Sequence, residues 1–428
     1  MANFLQAPRG TLDVLPEMTG KWRYIEKIIN DTAALLGFGE IRLPTFEYTE
    51  LFSRGVGETT DVVAKEMYTF FDRGGRSITL RPEGTASTVR AILQNGLYNG
   101  PLPLKLYYMI SCFRGERPQA GRLREFHQFG AELFGASIAG ADAELISLAA
   151  SVFEALGIAG LNLEINSIGC PKCRKDYHEA LSGYFEKRAD ELCETCNGRI
   201  ERNPMRILDC KSDSCKNAAE GAPRVLDYIC EDCRTHFESV KARLDAFGLK
   251  YTVNSSIVRG LDYYTRTVFE FVDENLGLTV CGGGRYDGLV EQLGGPAMSG
   301  LGFGIGIERL IMIMQAQGCS FEEKSADAVY FAPIGEAASL KAAQLAVLLR
   351  AEGFAAEYDL CERSIKAQMK YADKIDFAYS VVIGDNELDS GKAVLKNMST
   401  GSSKEVPLDY GFIEAFNRAV KEDDPQKL

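Results

Sequence analysis

Between Arg114 and Glu132 the chain reads Arg-Gly-Glu-Arg-Pro-Gln-Ala-Gly-Arg-Leu-Arg-Glu-Phe-His-Gln-Phe-Gly-Ala-Glu, four arginines and three glutamates around a Pro/Gly turn. Arginine holds a permanent charge on a planar fork that matches phosphate and carboxylate oxygens. If residues 124–134 are a strand, a period of two places Phe126, Gln128, Gly130 and Glu132 on one face. An aromatic, an amide and a carboxylate beside Arg114 suit a small zwitterion lying next to a polyphosphate. The alternative is a solvated hairpin with surface ion pairs, since charge runs are commonly solvated faces.

Other segments carry comparable chemistry. Arg81-Pro-Glu-Gly-Thr85 is a loop opening a helix, and a carboxylate there is also what a helix N-terminus attracts by its dipole. Downstream come Val258-Arg-Gly-Leu-Asp-Tyr-Tyr-Thr265, then Cys281-Gly-Gly-Gly-Arg-Tyr-Asp-Gly288, then Gly302-Phe-Gly-Ile-Gly-Ile-Glu-Arg309. Glycine runs beside charged residues permit close backbone approach to a ligand. The Gly302-x-Gly-x-Gly run lacks dinucleotide-binding spacing and does not follow a clean βα unit.

Eight of the twelve cysteines lie between 170 and 233, as the pairs Cys170/Cys173, Cys193/Cys196, Cys210/Cys215 and Cys230/Cys233. In a reducing compartment such clustering favours metal over disulfides, and thiolates at this spacing suit tetrahedral zinc. Two sites of four thiolates could form, and spacing does not say which pairs combine. Buried thiols and disulfides are the alternatives.

These residues need elements to position them. Leu106–Phe113 is rich in aromatic and branched residues and reads as a strand pairing with 124–134. Residues 20–36 have helical spacing and stop at Gly37; a short strand broken by Pro44 follows. Residues 76–81 read as a strand, 86–95 and 140–156 as helices, 161–166 as a strand, and 251–310 as glycine-rich strands ending in a helix from Ile307. Residues 170–240 differ in composition from both flanks and read as a helical insertion. After a polar linker, residues 326–428 alternate strands at 327–333, 355–359 and 377–384 with helices at 338–352 and 364–375. The expected domains are therefore 1–325, interrupted by the insertion, and 326–428.

The 428 residues carry a net charge of -12, with 46% apolar and 25% charged side chains. That acidity argues against a protein that coats DNA or RNA non-specifically, while leaving room for a specific RNA contact. No apolar run approaches the ~18 residues of a membrane span and the N-terminus lacks signal-peptide design, so a cytoplasmic protein is expected.

Taken in order, these segments resemble the histidyl-tRNA synthetase family of class II aminoacyl-tRNA synthetases. Arg114–Glu132 is similar to the second signature motif of that class and Gly302–Arg309 to the third. The helix, strand and Pro44 resemble the first, which forms the dimer interface. Arg259–Tyr264 and Gly282–Asp287 resemble the two motifs peculiar to the histidine enzymes. The resemblance covers essentially the whole chain. It implies an α+β fold: a mostly antiparallel sheet flanked by helices, a helical Cys-rich insertion and a C-terminal α/β anticodon-binding domain.

The resemblance further implies a homodimer that activates L-histidine with ATP and magnesium and then charges a tRNA. Arg114 and Arg259 would act on the α-phosphate and the substrate carboxylate. Glu116 and Phe126 would hold adenine, and Arg309 the γ-phosphate. Glu83, Thr85 and Gln128 would receive the α-ammonium. Glu132 and Tyr264 would bond the imidazole, with Tyr263 and Tyr286 lining the pocket. Arg117 and Gln119 would meet the tRNA acceptor end. A structural zinc in the insertion would depart from the better-known relatives.

His127 reads as structural, and His178 and His236 as surface residues or spare ligands. Lys366, Lys370 and Lys374 recur every fourth residue as a basic stripe, although residues 326–428 hold 12 Lys and Arg against 17 Asp and Glu. A non-catalytic paralogue, the regulatory subunit of ATP phosphoribosyltransferase, typically lacks the catalytic arginines and the C-terminal domain. Both are present here. A zinc-dependent RNA-binding module would explain the cysteines but leaves Arg259–Tyr264 unaccounted for.

Overall fold

Strand-forming runs in the first part of the chain make β1 (Gly39–Glu40), β2 (Phe46–Tyr48), β3 (Thr69–Phe71), β4 (Ser77–Leu80), β5 (Leu104–Phe113), β6 (Glu125–Phe134), β7 (Leu161–Ser167), β8 (Thr252–Val253), β9 (Thr265–Asp273), β10 (Leu278–Arg285) and β11 (Gly300–Gly306). The computed structural model describes residues 5–57, 60, 62–118, 121–210, 212–259, 261–321 and 328–423. The chain divides into two units, Met1–Phe321 and Glu322–Leu428.

In the first unit an eight-stranded sheet has the order β1-β5-β6-β11-β10-β9-β7-β8. Its edge pairs β1–β5 and β7–β8 are parallel, and the others are antiparallel. β5 and β6 form a hairpin in register from Leu104 opposite Phe134 to Phe113 opposite Glu125. A smaller sheet, β2-β4-β3, stands beside it in sequence.

One face of the large sheet is the hydrophobic core. Phe129, Ala131 and Leu133 of β6 join Leu301, Phe303 and Ile305 of β11 there. The helices Pro16–Leu35, Ala139–Ala155 and Ile307–Gln317 bury Ile25, Ile29, Leu145, Leu148, Leu310 and Met314 against them. The first helix begins earlier than its spacing predicts because Pro16 fits the first turn, where its missing N–H loses no bond. It ends where Gly37 takes a φ of 75°, returning its N–H to Ala34.

The insertion leaves the sheet after β7 and has a core of its own, including Tyr177, Leu181, Phe185, Ile207 and Val225. Its last helix, Glu231–Ala246, returns to the main core through Phe237, Val240 and Leu244.

The second unit is a five-stranded sheet built from β12 (Val329–Pro333), β13 (Ala356–Tyr358), β14 (Tyr379–Ile383), β15 (Lys392–Asn397) and β16 (Ser403–Pro407), in the order β13-β12-β14-β15-β16. Alternation along β12 divides its sides. Val329 and Phe331 pack with helices Glu336–Ala351 and Gly411–Asp423, while Tyr330 and Ala332 pack with Ala372 of helix Ile365–Lys374.

Candidate active site

The face of the large sheet opposite the core is floored by glycine. Leu106, Glu132, Gly302, Gly284 and Val268 lie opposite one another across five strands. The next row is Tyr108, Gly130, Gly304, Gly282 and Glu270. A side chain at 302 would collide with the Glu132 carboxylate, one at 304 with the Gln128 amide, one at 282 with the Arg259 guanidinium, and one at 84 or 130 with the Tyr108 ring. The glycine runs thus clear space for side chains that arrive from neighbouring strands and loops.

Glu132 is fully buried. One of its oxygens accepts from Thr85 Oγ1 at 2.8 Å and from the Tyr108 hydroxyl at 2.9 Å, and the other from the Tyr286 hydroxyl. Burial nevertheless outweighs these three donors and lifts its carboxyl to about 8. Tyr263, Tyr264 and Tyr286 close around it, the ring of Tyr263 lying 4.8 Å from Tyr264 and 5.4 Å from Tyr286. Glu83 is also buried, and its carboxyl is raised by burial. It accepts from the N–H groups of Thr85 at 2.6 Å and Ala86 at 3.0 Å, so it caps the helix Thr85–Gln94 as a dipole argument expects.

The loop carrying Glu83 is anchored by Arg81, a residue the sequence did not single out. Its Nε donates to the Ser111 carbonyl and its Nη1 to those of Leu43 and Pro44, each at 2.7 Å.

Cationic groups gather further along the face. Arg114 donates to the Pro82 carbonyl at 3.0 Å, and its guanidinium lies 5.2 Å from the centre of the Phe126 ring. Arg259 pairs with Glu270, lies 5.8 Å from the Tyr264 ring centre, and has a buried Nε without a hydrogen-bond partner among the described residues. Arg309 donates to the carbonyls of Gly121, at 3.1 Å, and Thr279. Burial, then the like charges of Arg122 and Arg114, lower its hold on its proton. Arg122 in turn donates to Glu116 at 3.2 Å. Glu270 belongs to this constellation too, although in sequence it looks like an ordinary strand charge, while Arg122 is given no role of its own by the sequence beyond the charged run it belongs to.

Arg117 is exposed at the hairpin tip, while Gln119 lies outside the described residues. Lys366, Lys370 and Lys374 are all exposed on their helix. His127 is fixed by Glu308, which accepts from its backbone N–H at 2.9 Å and meets Nδ1 at 2.9 Å, and Trp22 packs edge-on against it. The expectation for His236 needs correction. Its side chain is 8% exposed, with Nε2 3.2 Å from Asp142. The reason is Arg285, fully buried and bonded to the same carboxylate at 2.5 Å, which makes Asp142 the centre of an internal charge cluster. His178 is half-buried on the helix Pro171–Glu186.

The eight insertion cysteines resolve into Cys170, Cys173, Cys230 and Cys233, and Cys193, Cys196, Cys210 and Cys215. Within each group the four sulfurs lie within 4.8 Å of one another.

An antiparallel sheet that brings three arginines and a buried carboxylate onto one glycine-floored face, with a separate α/β unit after it, is the architecture of a class II aminoacyl-tRNA synthetase. The histidyl-tRNA synthetase family model matches residues 10–310, and the anticodon-binding domain model matches residues 328–414. The histidine–tRNA ligase of Acetivibrio thermocellus is 54% identical over 406 residues, 94% of this chain and 97% of that protein. That of Caldanaerobacter subterraneus is 52% identical over 97% of this chain and 99% of that protein. The apo crystal structure of S. aureus histidyl-tRNA synthetase superposes with a TM-score of 0.81 at 39% identity, covering 96% of this chain and all of that one. The chain belongs to the histidyl-tRNA synthetase family, and the α+β fold expected from its sequence is the one it has.

Proposed function

We propose that the protein is a ligase that joins histidine to tRNA. The carboxylate of histidine attacks the α-phosphorus of ATP, a new O–P bond forms, and the bond to pyrophosphate breaks. A carboxylate is ionised at neutral pH, so this step needs no general base. It needs cations where two anions meet and where negative charge builds on phosphorus. Arg114 and Arg259 supply them, Arg309 holds the γ-phosphate, and magnesium accompanies ATP. Glu116 and Phe126 hold the adenine. A hydroxyl of the tRNA's terminal ribose then attacks the activated carbonyl and releases AMP.

One observation carries this reading: Glu132 and Arg259 stand over adjacent rows of the same glycine floor, through Gly302 and Gly282. A histidine laid between them directs its imidazole at the buried carboxyl and its carboxylate at the unpaired guanidinium nitrogen. Tyr264 bonds the imidazole with Glu132, Tyr263 and Tyr286 wall the pocket, and Glu83, Thr85 and Gln128 receive the α-ammonium. A pocket with buried polar groups rejects apolar isosteres strongly, because they would leave those groups unpaired.

Arg117 and Gln119 are assigned to the acceptor end of the tRNA, and the second unit to its anticodon. A homodimer is supported by Phe46, Tyr48, Phe70 and Phe71, exposed on the β2-β4-β3 sheet. A cytoplasmic setting agrees with the free cysteines, and no described helix is long and apolar enough to cross a membrane. A structural zinc belongs to the insertion.

Histidine-dependent exchange of pyrophosphate into ATP, measured without tRNA, tests the reading. Wild-type protein should show it, and Arg259→Ala should lower its rate by about 10²–10³-fold, as when one preorganised transition-state donor is lost. Absence of exchange in the wild type would overturn the ligase assignment. Near-normal exchange in the variant would remove Arg259 from the mechanism.

A further inference from the structure

Each cysteine group has the geometry of a tetrahedral thiolate site. The Sγ atoms of Cys170 and Cys173 are 3.5 Å apart, those of Cys173 and Cys233 3.8 Å, and those of Cys193 and Cys210 4.0 Å. A disulfide would hold its sulfurs at about 2.05 Å. Four sulfurs around one zinc, at Zn–S distances of about 2.3 Å, lie ~3.8 Å from one another by tetrahedral geometry. The backbone supports the same chemistry: the N–H of Cys230 donates to Cys173 Sγ at 3.0 Å, and that of Cys193 to Cys215 Sγ at 3.2 Å. Such bonds are the outer contacts that favour metal-bound thiolates. In the first group Cys170 and Cys230 precede the first turns of two 16-residue helices, where the dipole also favours negative charge.

The first group sits at the root of the insertion, next to the segment that carries the histidine-pocket tyrosines. Ile168 donates to the Arg266 carbonyl at 2.8 Å, and Arg266 donates to the Gly169 carbonyl at 2.9 Å. Gly169 immediately precedes Cys170, and Arg266 is two residues beyond Tyr264. From within the insertion, Asn203 donates to Asp262 at 3.2 Å, and Met205 packs on the cluster that contains Tyr263, Tyr264 and Tyr286. The second group brackets the segment between Cys196 and Cys210 that carries Asn203 and Met205, so it reaches the pocket through side chains, whereas the first group reaches it through the backbone bonds of Ile168, Gly169 and Arg266. The cysteines of both groups pack in the insertion's own core.

We infer that the insertion binds two zinc ions, one in each cysteine group, and that the ion held by Cys170, Cys173, Cys230 and Cys233 positions the Arg259–Tyr264 segment. All-thiolate tetrahedra select zinc or iron among common metals, and zinc brings no redox chemistry to a site that has only structure to supply. The metal assignment is independent of the proposed activity; the positioning role rests on it.

The full-length protein, purified without added metal, should contain two equivalents of zinc per chain by elemental analysis. Its eight insertion thiols should become reactive only after chelation. Cys173→Ser combined with Cys233→Ser should leave one equivalent, and so should Cys196→Ser combined with Cys215→Ser. Less than half an equivalent in wild type, iron in place of zinc, or eight freely titrating thiols overturns the metal assignment, and these readings need no variant to fold. For the positioning role, the first double variant should raise KM for histidine in pyrophosphate exchange about tenfold while kcat changes less than threefold. An unchanged KM for histidine in the first variant, or a fall in kcat as large as the rise in KM, overturns that role. If wild-type protein holds two zinc ions but shows no exchange, the ligase reading fails and the metal assignment stands.

Discussion

Glu132 is a carboxyl group gripped by three hydroxyls in a place water does not reach, and burial dominates its proton affinity. Lifted to about 8, it keeps a proton in the ligand-free fold that an unfolded chain releases near the ordinary carboxylate value. Between those two limits the native state binds more protons, so stability falls as pH rises, by up to about 1.4 kcal/mol per pH unit for one such group. Glu83, raised by burial as well, acts in the same direction. Thermal denaturation of ligand-free protein from pH 5 to 8 should therefore show Tm declining with pH, and Glu132→Gln should flatten the decline. An unchanged slope in the variant would mean that Glu132 is ionised throughout. Histidine, whose imidazole titrates in the same range, should shift the wild-type slope when added, since it gives the carboxyl a partner.

At the scale of the element, the glycines of β10 and β11 matter through what they lack. Register places Gly302 opposite Glu132 and Gly284, so one missing Cβ frees the space that the carboxylate occupies. Gly302→Ala should force that carboxylate aside at the ~1–3 kcal/mol typical of overpacking. A loss of that size in the pocket corresponds to roughly a tenfold or larger rise in KM for histidine, since every 1.4 kcal/mol is tenfold. Steady-state exchange kinetics beside a melting curve would check both numbers. A variant with wild-type KM would show that Glu132 does not bear on the amino acid. The same strands meet Arg285, whose buried pairing with Asp142 joins β10 to the helix Ala139–Ala155 and to His236 of the insertion.

For the whole molecule, the two units divide the work by chemistry. The first holds the adenylate-forming face, and the second matches an anticodon-binding module while carrying an acidic balance overall. A basic stripe within an acidic unit binds by local charge, which salt screens. Replacing Lys366, Lys370 and Lys374 together by alanine should weaken tRNA charging several-fold at low salt and flatten its salt dependence. Pyrophosphate exchange without tRNA should be unchanged. Aminoacylation of tRNA measured across a salt series decides this, and identical salt slopes would make the stripe a solvated helix face.

Much of this was legible in sequence because it is local. The hairpin β5–β6 follows from its apolar runs, the helix stop at Gly37 from a positive φ, and the alternation along β6 from the pleat of a strand. What sequence could not give were relations between distant segments. The cysteine pairs are regularly spaced, yet which pairs combine depends on how the two long insertion helices come together. Tyr108 reads as one more aromatic of an apolar strand until Gly84 and Gly130 open room for its ring beneath Glu132. His236 reads as a surface residue until Arg285 makes Asp142 an internal partner. Residue types and spacing determined the class of chemistry, because phosphate, carboxylate and imidazole each demand particular side chains. Tertiary structure alone decided which charges are buried, paired or left open to a ligand, since desolvation and register are properties of neighbours that the chain order does not contain.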